Sequence, residues 1–152
     1  MTGAPPPHLG VRTMSYTMPI ELGKIREFSR AVKSRNPAHK GDNPVIPPTF
    51  LVSSRTLWEP AKESGIAKLG FDFKRILHGE EEYVFHAPLP RAGQTLTCEA
   101  KVLETYEKPG RRGGSMRFGV VVTEFRDEQG ELVAECRSTL VETEKAPKKE
   151  EA

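Results

Sequence analysis

Apolar residues recur along this chain at two different periods, and the period changes near the middle. Between residues 20 and 34, Leu22, Ile25, Phe28, Ala31 and Val32 return at steps of three and four, which gathers them on one face of a helix. Lys24, Arg26, Glu27, Arg30 and Lys33 fall mainly on the opposite face. Gly23 weakens the first turn, so the regular helix is expected from near Lys24. Asn36-Pro37 stops it, because the residue before a proline is biased away from the α region. Ahead of the helix, residues 14–18 alternate in size and read as a short edge strand that Pro19 ends.

From Leu77 onward the period is two. Tyr83, Phe85 and Ala87 alternate with Val84 and His86. Leu96, Cys98, Ala100 and Val102 alternate with Thr95, Thr97, Glu99 and Lys101, the pattern of a half-buried strand. Met116, Phe118, Val120 and Val122 form the expected apolar side of the next strand, with Val121 and Phe125 on the other face. Leu132, Ala134 and Cys136 lead into a last strand ending near Thr143. Residues 108–114 read as a Gly-rich hairpin loop, and Asp127-Glu128-Gln129-Gly130 as a tight turn.

Residues 34–50 separate the two regimes. They hold too much Pro, Gly and Asn for a helix or a central strand, and they crowd His39, Asn36 and Asp42 into a few positions. Pro47-Pro48 suits the first turn of a second helix, with Phe50, Leu51, Leu57 and Trp58 for its buried side. Gly65 and Gly70 make loops or short turns of residues 59–76. Strand, helix, loop, second helix and then strands joined mostly by hairpins is an α+β architecture, with a curved antiparallel sheet wrapped around a helix.

Length and charge narrow the picture. The 152 residues suit one domain, expected over residues 14–143. Residues 1–13, with three consecutive prolines, are expected to be mobile or draped on the surface, and 144–152 to form a charged, disordered tail. The 23 basic and 21 acidic residues nearly balance at +2, which argues against a general nucleic-acid binder, so any basic surface must be local. Cys98 and Cys136 sit at apolar positions of strand-like segments and read as buried free thiols; two isolated cysteines make no CxxC zinc site, and no metal is expected. No apolar run approaches the ~20 residues that span a bilayer, and none at the N-terminus resembles a secretory leader. The chain reads as cytoplasmic, with no membrane partner.

Four stretches, taken in this order and spacing, carry a resemblance: residues 25–32, Ile46-Pro47-Pro48-Thr49-Phe50, Leu77-His78-Gly79-Glu80-Glu81, and Pro88-Leu89-Pro90-Arg91-Ala92-Gly93. Over about residues 14–143 the chain resembles the MaoC-like hydratase/dehydratase family of hot-dog domains. The nearest match is to its N-terminal-type domains, half of a double hot-dog or one subunit of a heterodimer. The resemblance implies acyl thioesters of coenzyme A or acyl-carrier protein as substrates. It implies reversible loss of water from a (3R)-3-hydroxyacyl thioester to give the trans-2-enoyl thioester, with no metal or organic cofactor.

Active members carry Asp-x-Asn-Pro-x-His, in which Asp and His act as acid and base. Asn36-Pro37-Ala38-His39 lies on the last four positions, and Ser34 stands at the position of the motif's Asp. Asp42 is the nearby carboxylate left to substitute. The α-proton of a thioester is weakly acidic, so a base must be held within hydrogen-bond reach. The developing enolate needs donors, for which the backbone N–H groups of Thr49 and Phe50 at a helix start are the candidates. Lys108, Arg111 and Arg112 are candidates for the phosphates of coenzyme A or the acidic face of a carrier protein. His78 and His86 read as strand residues, the glutamates at 80–82 as a solvated strand start, and Trp58 and Phe71 as core or as pocket lining.

The leading expectation is a subunit of a (3R)-hydroxyacyl-thioester dehydratase, or trans-2-enoyl-thioester hydratase, that shapes the acyl pocket and contributes His39. It would work as a homodimer or as a heterodimer with a catalytic MaoC-like subunit. A hot-dog thioesterase, using Asp42, and a non-catalytic acyl-thioester-binding module are the alternatives.

Overall fold

The computed structural model describes residues 9–111 and 114–144. Five strands make one antiparallel sheet: β1 Tyr16–Pro19, β2 Ile76–Phe85, β3 Thr95–Pro109, β4 Ser115–Arg126 and β5 Leu132–Thr143, in the order β1-β3-β4-β5-β2. Three hairpin-like neighbours therefore follow the chain, while β1 and β2 close the two ends. Register shifts interrupt β2 between His78 and Glu80, β3 between Val102 and Glu104, and β4 between Phe125 and Arg126. Such irregularities increase local twist and bend a sheet.

Helix α1, Leu22–Ala31, buries Ile25 and Ser29 and presents Phe28 edge-on to Phe50, with centroids 5.4 Å apart. It stops sooner than the apolar spacing predicts. Lys33 takes a left-handed φ of 54°. Its N–H bonds to the Arg30 carbonyl at 3.0 Å and the Ser34 N–H to the Ser29 carbonyl at 2.8 Å, the paired bonds of a Schellman close. Val32, expected on the buried face, is the C-cap residue of that close and is exposed.

The second helix is short. A 3-10 turn at Phe50–Val52 leads into α2, Ser53–Leu57. Ser53, Ser54 and Thr56 favour local bonding to the backbone over helix, and Pro60 limits any extension. The sheet nevertheless packs around this segment. Ile46, Phe50 and Leu51 share one core with Met18 of β1, Leu96 and Cys98 of β3, Phe125 of β4, and Ala134 and Cys136 of β5, with Tyr83 and Phe85 of β2 packed against it. A second core joins Leu69 and Phe71 to Ala100, Val102, Val121 and Leu140. Leu69 belongs to one of three 3-10 turns, Ala61–Glu63, Ala67–Leu69 and Phe73–Arg75, that resolve the ambiguous residues 59–76.

One strand face is corrected. Val121 and Phe125 of β4 face the cores, whereas Met116, Phe118 and Val120 are only half-buried on the other side. β4 is central and apolar on both faces, so a period of two could not choose between them. Cys98 and Cys136 are buried free thiols. They lie on β3 and β5 with β4 between them, so strand spacing holds them about 10 Å apart, beyond disulfide reach. Among the described residues no helix is long and apolar enough to cross a membrane.

Residues 10–13 run beside β3. Gly10 N–H bonds to Val102 O at 2.9 Å, Thr13 N–H to Ala100 O at 2.8 Å, and Arg12 pairs with Lys101 as a bridge. Arg12 also meets Glu99 at 3.1 Å and Glu124 at 3.5 Å. Glu124 is buried yet satisfied, accepting from Lys101 at 2.9 Å and Arg126 at 3.1 Å. Burial pushes its carboxyl up, but those hydrogen bonds and the charges of Lys101 and Arg12 outweigh it and hold it down at about 2.

Two stability predictions follow from this packing. A Cβ on Gly65 would lie 2.5 Å from Val121 Cγ1 and 3.0 Å from Ala100 Cβ. Val121 is β-branched and stiff, so Gly65→Ala should lower the urea-unfolding free energy by about 1–3 kcal/mol through overpacking. The Glu124 carboxyl titrates lower in the folded chain than its ordinary 4.5, so its stabilisation is full above 4.5 and is lost as pH falls toward about 2. Wild type should therefore be more stable than Glu124→Gln at neutral pH, and the gap in denaturant midpoint should close across that acid window.

Candidate functional site

The motif loop begins where α1 closes. Ser34 Oγ accepts from the Asn36 N–H at 3.3 Å, and Asn36 Oδ1 accepts from the Ala38 N–H at 3.0 Å. Asn36 thus caps a 3-10 turn, Pro37–His39, with Pro37 in the first position, where a missing N–H costs nothing. The turn is held by His39 N–H to Asn36 O at 3.2 Å and Lys40 N–H to Pro37 O at 3.1 Å.

His39 is buried, and its Nδ1 lies 3.1 Å from the carbonyl oxygen of Val45. A carbonyl only accepts, so Nδ1 carries the proton and Nε2 is left to take or give one. The Val45 N–H returns the contact, donating to Ala38 O at 3.0 Å. Val45 is fixed in turn by a bridge to Arg91. Ile46 N–H bonds to Pro90 O at 2.9 Å, Ala92 N–H to Pro44 O at 3.1 Å, and the Arg91 guanidinium to Asn43 O at 2.8 Å. The stretches around residues 46–50 and 88–93, separate in sequence, thus form one support for the loop.

Between α1 and the loop lies a pocket of about 410 Å³. Helix α1 contributes Arg26, Ser29 and Arg30, and the loop Ser34, His39 and Lys40. No carboxylate lines it among the described residues. The Asp42 side chain is fully exposed and turns to Arg26, 3.4 Å away. A histidine, two hydroxyls and three cations can exchange protons, donate hydrogen bonds and bind anions. They hold no carboxylate to serve as a second acid or base.

Of the residues singled out from sequence, Ser34 and His39 are brought together, and Asn36 caps the turn that carries His39. The Phe50 N–H is engaged by Pro47 O at 2.9 Å, so it is not a free donor here, and neither Thr49 nor Phe50 lines the pocket. Lys108 also lies outside it; its ammonium sits 5.0 Å from the Tyr106 centroid and 5.4 Å from that of Phe118, over a pair stacked at 4.8 Å. Arg111 is exposed, and Arg112 lies outside the described residues. His78 is an exposed β2 residue at the register shift, and His86 Nε2 meets Glu135 Oε2 at 2.8 Å.

One polar cluster escaped the sequence reading. Arg55 of α2, nearly buried, meets Glu81 of β2 at 2.6 Å and donates to Ser138 Oγ at 2.5 Å. The Cys136 thiol and the Tyr83 hydroxyl donate to the same Glu81 Oε1, at 2.8 and 3.3 Å, while Oε2 is buried without a partner. Burial, with the Glu81 hydrogen bond and charge, pushes the Cys136 thiol up to about 12. Burial likewise raises Cys98 to about 12, so both stay protonated and non-nucleophilic. The signal was present: the strand period puts Glu81 on the face of Tyr83, inward rather than in solvent.

The description FAS1-like, dehydratase domain region, matches residues 7–136. A UPF0336 protein of Saccharopolyspora erythraea is 32% identical over 138 residues, which cover 82% of this chain and 83% of that one. Among solved structures, the C-terminally truncated HadBC (3R-hydroxyacyl-ACP dehydratase) complex from Mycobacterium tuberculosis superimposes with a TM-score of 0.70 at 23% identity, covering 91% of this chain and 99% of that one. A MaoC-like dehydratase gives 0.68 at 21% identity over 90% of this chain, but only 42% of its own length. With the five-stranded sheet packed around a short helix, these likenesses make the architecture a hot-dog fold of the MaoC-like type, and the chain belongs to the FAS1-like dehydratase-domain family.

Proposed function

We propose that this chain is a subunit of a (3R)-hydroxyacyl-thioester dehydratase, or of the trans-2-enoyl-thioester hydratase that runs the same reaction in reverse. It shapes the acyl pocket and holds His39, and a partner subunit supplies the carboxylate. The observation that carries this reading is the half-complete site. The Asn-Pro-x-His turn is built, the imidazole is oriented by Val45, and no carboxylate lines the pocket among the described residues. Removing an α-proton and expelling a β-hydroxyl as water needs both an acid and a base. His39 Nε2 provides one such group, so the other must come from outside this pocket.

Two further facts support a partner. The similar HadBC structure is itself a dehydratase complex. Among the described residues, β2 is a ten-residue strand at the end of the sheet, paired on one side only, to β5. Hot-dog chains that join edge to edge there would cover its open N–H and C=O groups. The thioesterase reading is disfavoured, because it needs a carboxylate aimed at a water near the thioester and Asp42 points into solvent. A purely binding role predicts stabilisation by ligand with no turnover in any pairing.

Crotonyl-coenzyme A hydration tests the proposal. The chain alone should be inactive. Mixing with a MaoC-like chain carrying an intact Asp-x-Asn-Pro-x-His motif should raise turnover above that of the second chain by itself. No gain from any such pairing would sink the subunit reading. Ser34 lines the same pocket as His39, so Ser34→Asp should give the isolated chain a hydratase activity that a second change, His39→Ala, lowers by about 10²–10⁴-fold, the usual worth of a general acid or base. An inert Ser34→Asp chain that still binds the thioester would make the loop scaffold alone.

A further inference from the structure

The free border of the sheet carries a charge that opposes pairing with itself. β2 holds three consecutive glutamates, Glu80, Glu81 and Glu82, at its middle, and no lysine or arginine. Their charges are answered unequally. Glu81 turns inward to Arg55 at 2.6 Å. Glu82 meets Arg137 at 3.5 Å, but that guanidinium also meets Glu135 at 3.4 Å. Glu80 is exposed and has no cationic partner among the described residues. On either side of the glutamates the border is apolar. Leu77 and, in the turn before the strand, Phe73 are exposed, and Val84 and Phe85 are half-buried. The border is thus an acidic centre between apolar shoulders.

An antiparallel pairing of β2 with a second copy of itself, overlapped along the whole strand, sets Glu80 opposite Glu81. A slip of one residue in one direction sets Glu80 against Glu80. A slip in the other sets Glu81 against Glu81 and Glu80 against Glu82. Each arrangement puts like charges directly opposite, which destabilises a strand pair, whereas opposite charges in the same place stabilise it. We propose that the β2 border selects a non-identical hot-dog chain whose own edge strand presents lysine or arginine to Glu80 and Glu82, and rejects a second copy of this chain. This rests on the subunit reading above and names the chemistry of the partner. The apolar shoulders supply area to bury, and the glutamates decide which chain is admitted. Exposed charges of this kind also steer encounter, so the pairing weakens with ionic strength.

Sedimentation equilibrium of the full chain, alone and mixed with a variant carrying Glu80→Lys and Glu82→Lys, tests the selection. At low salt the mixed pair should form a discrete dimer about tenfold more tightly than either chain forms with itself, because each copy then faces the opposite charge. A variant carrying Glu80→Gln and Glu82→Gln should self-associate more tightly than wild type, and added salt should narrow that gap. Loss of fold would weaken a discrete dimer, whereas both variants are expected to strengthen one, so a folding defect cannot mimic the result. A mixed pair no tighter than the wild-type chain with itself, or a wild-type chain that dimerises as tightly as the glutamine variant, overturns the proposal. The crotonyl-coenzyme A assay separates it from the subunit reading. A MaoC-like chain that raises turnover should bind the wild-type chain about tenfold more tightly than the lysine variant. Equal binding of the two, with the gain in turnover preserved, overturns the charge-selecting border and leaves the subunit reading standing. No gain from any pairing removes the subunit reading, and with it the partner named here.

Discussion

Val45 commits both of its backbone groups to the loop that precedes it, and the site depends on that commitment. Its N–H holds Ala38 and its carbonyl holds His39. Arg91, across the bridge, keeps Val45 from moving away. The imidazole is therefore oriented by a neutral dipole. A carboxylate in that place would also stabilise the charged ring, as it does in a hydrolytic triad. A carbonyl sets the tautomer and the ring orientation. The loop thus presents a histidine whose ring orientation and tautomer are set by backbone alone.

The short helix α2 is secured differently. Phe50 and Leu51 fill the core, and non-directional burial alone would allow the segment to rotate or slide. The Arg55–Glu81 pair, with Ser138, Cys136 and Tyr83 around it, gives the packing a direction. Breaking such a pair from one side leaves an uncompensated charge, typically about 3–5 kcal/mol when fully buried and less here, where Glu81 keeps a quarter of its side chain exposed. The pair reaches from the central segment to β2, so the helix and the end strand are held in one register.

Much of this was legible in the residues. The alternation through residues 95–102 and 132–136 gave strands that match β3 and β5, because each has one clearly polar side in its first half. The α1 pattern was legible in its middle, through Ile25 and Phe28, but its end was not. A lysine at φ 54° leaves no trace in a pattern of apolar positions, since glycine is the usual occupant of that conformation. The face of β4 was hidden by valines on both sides. Asn36-Pro37-Ala38-His39 was legible as a motif, yet its partner carbonyl was not, because a backbone acceptor can come from any residue. Glu81 was hidden within a run of three glutamates that looked uniformly solvated. The pocket cations were visible on the polar face of α1, but only the folded loop shows that Lys40 joins Arg26 and Arg30 there.

The sheet ends unequally. One border is β1, four residues long and finished by Pro19; the other is β2, with ten residues. Residues 10–13 also bond to β3 at Ala100–Val102. When two such chains meet along β2, the ten-residue border of each is paired at once, while on the opposite side β3 keeps an open reach beyond Val102 among the described residues. A contact made by strand pairing asks only for a matching free edge, so as far as amides and carbonyls go the same border serves an identical or a different second chain.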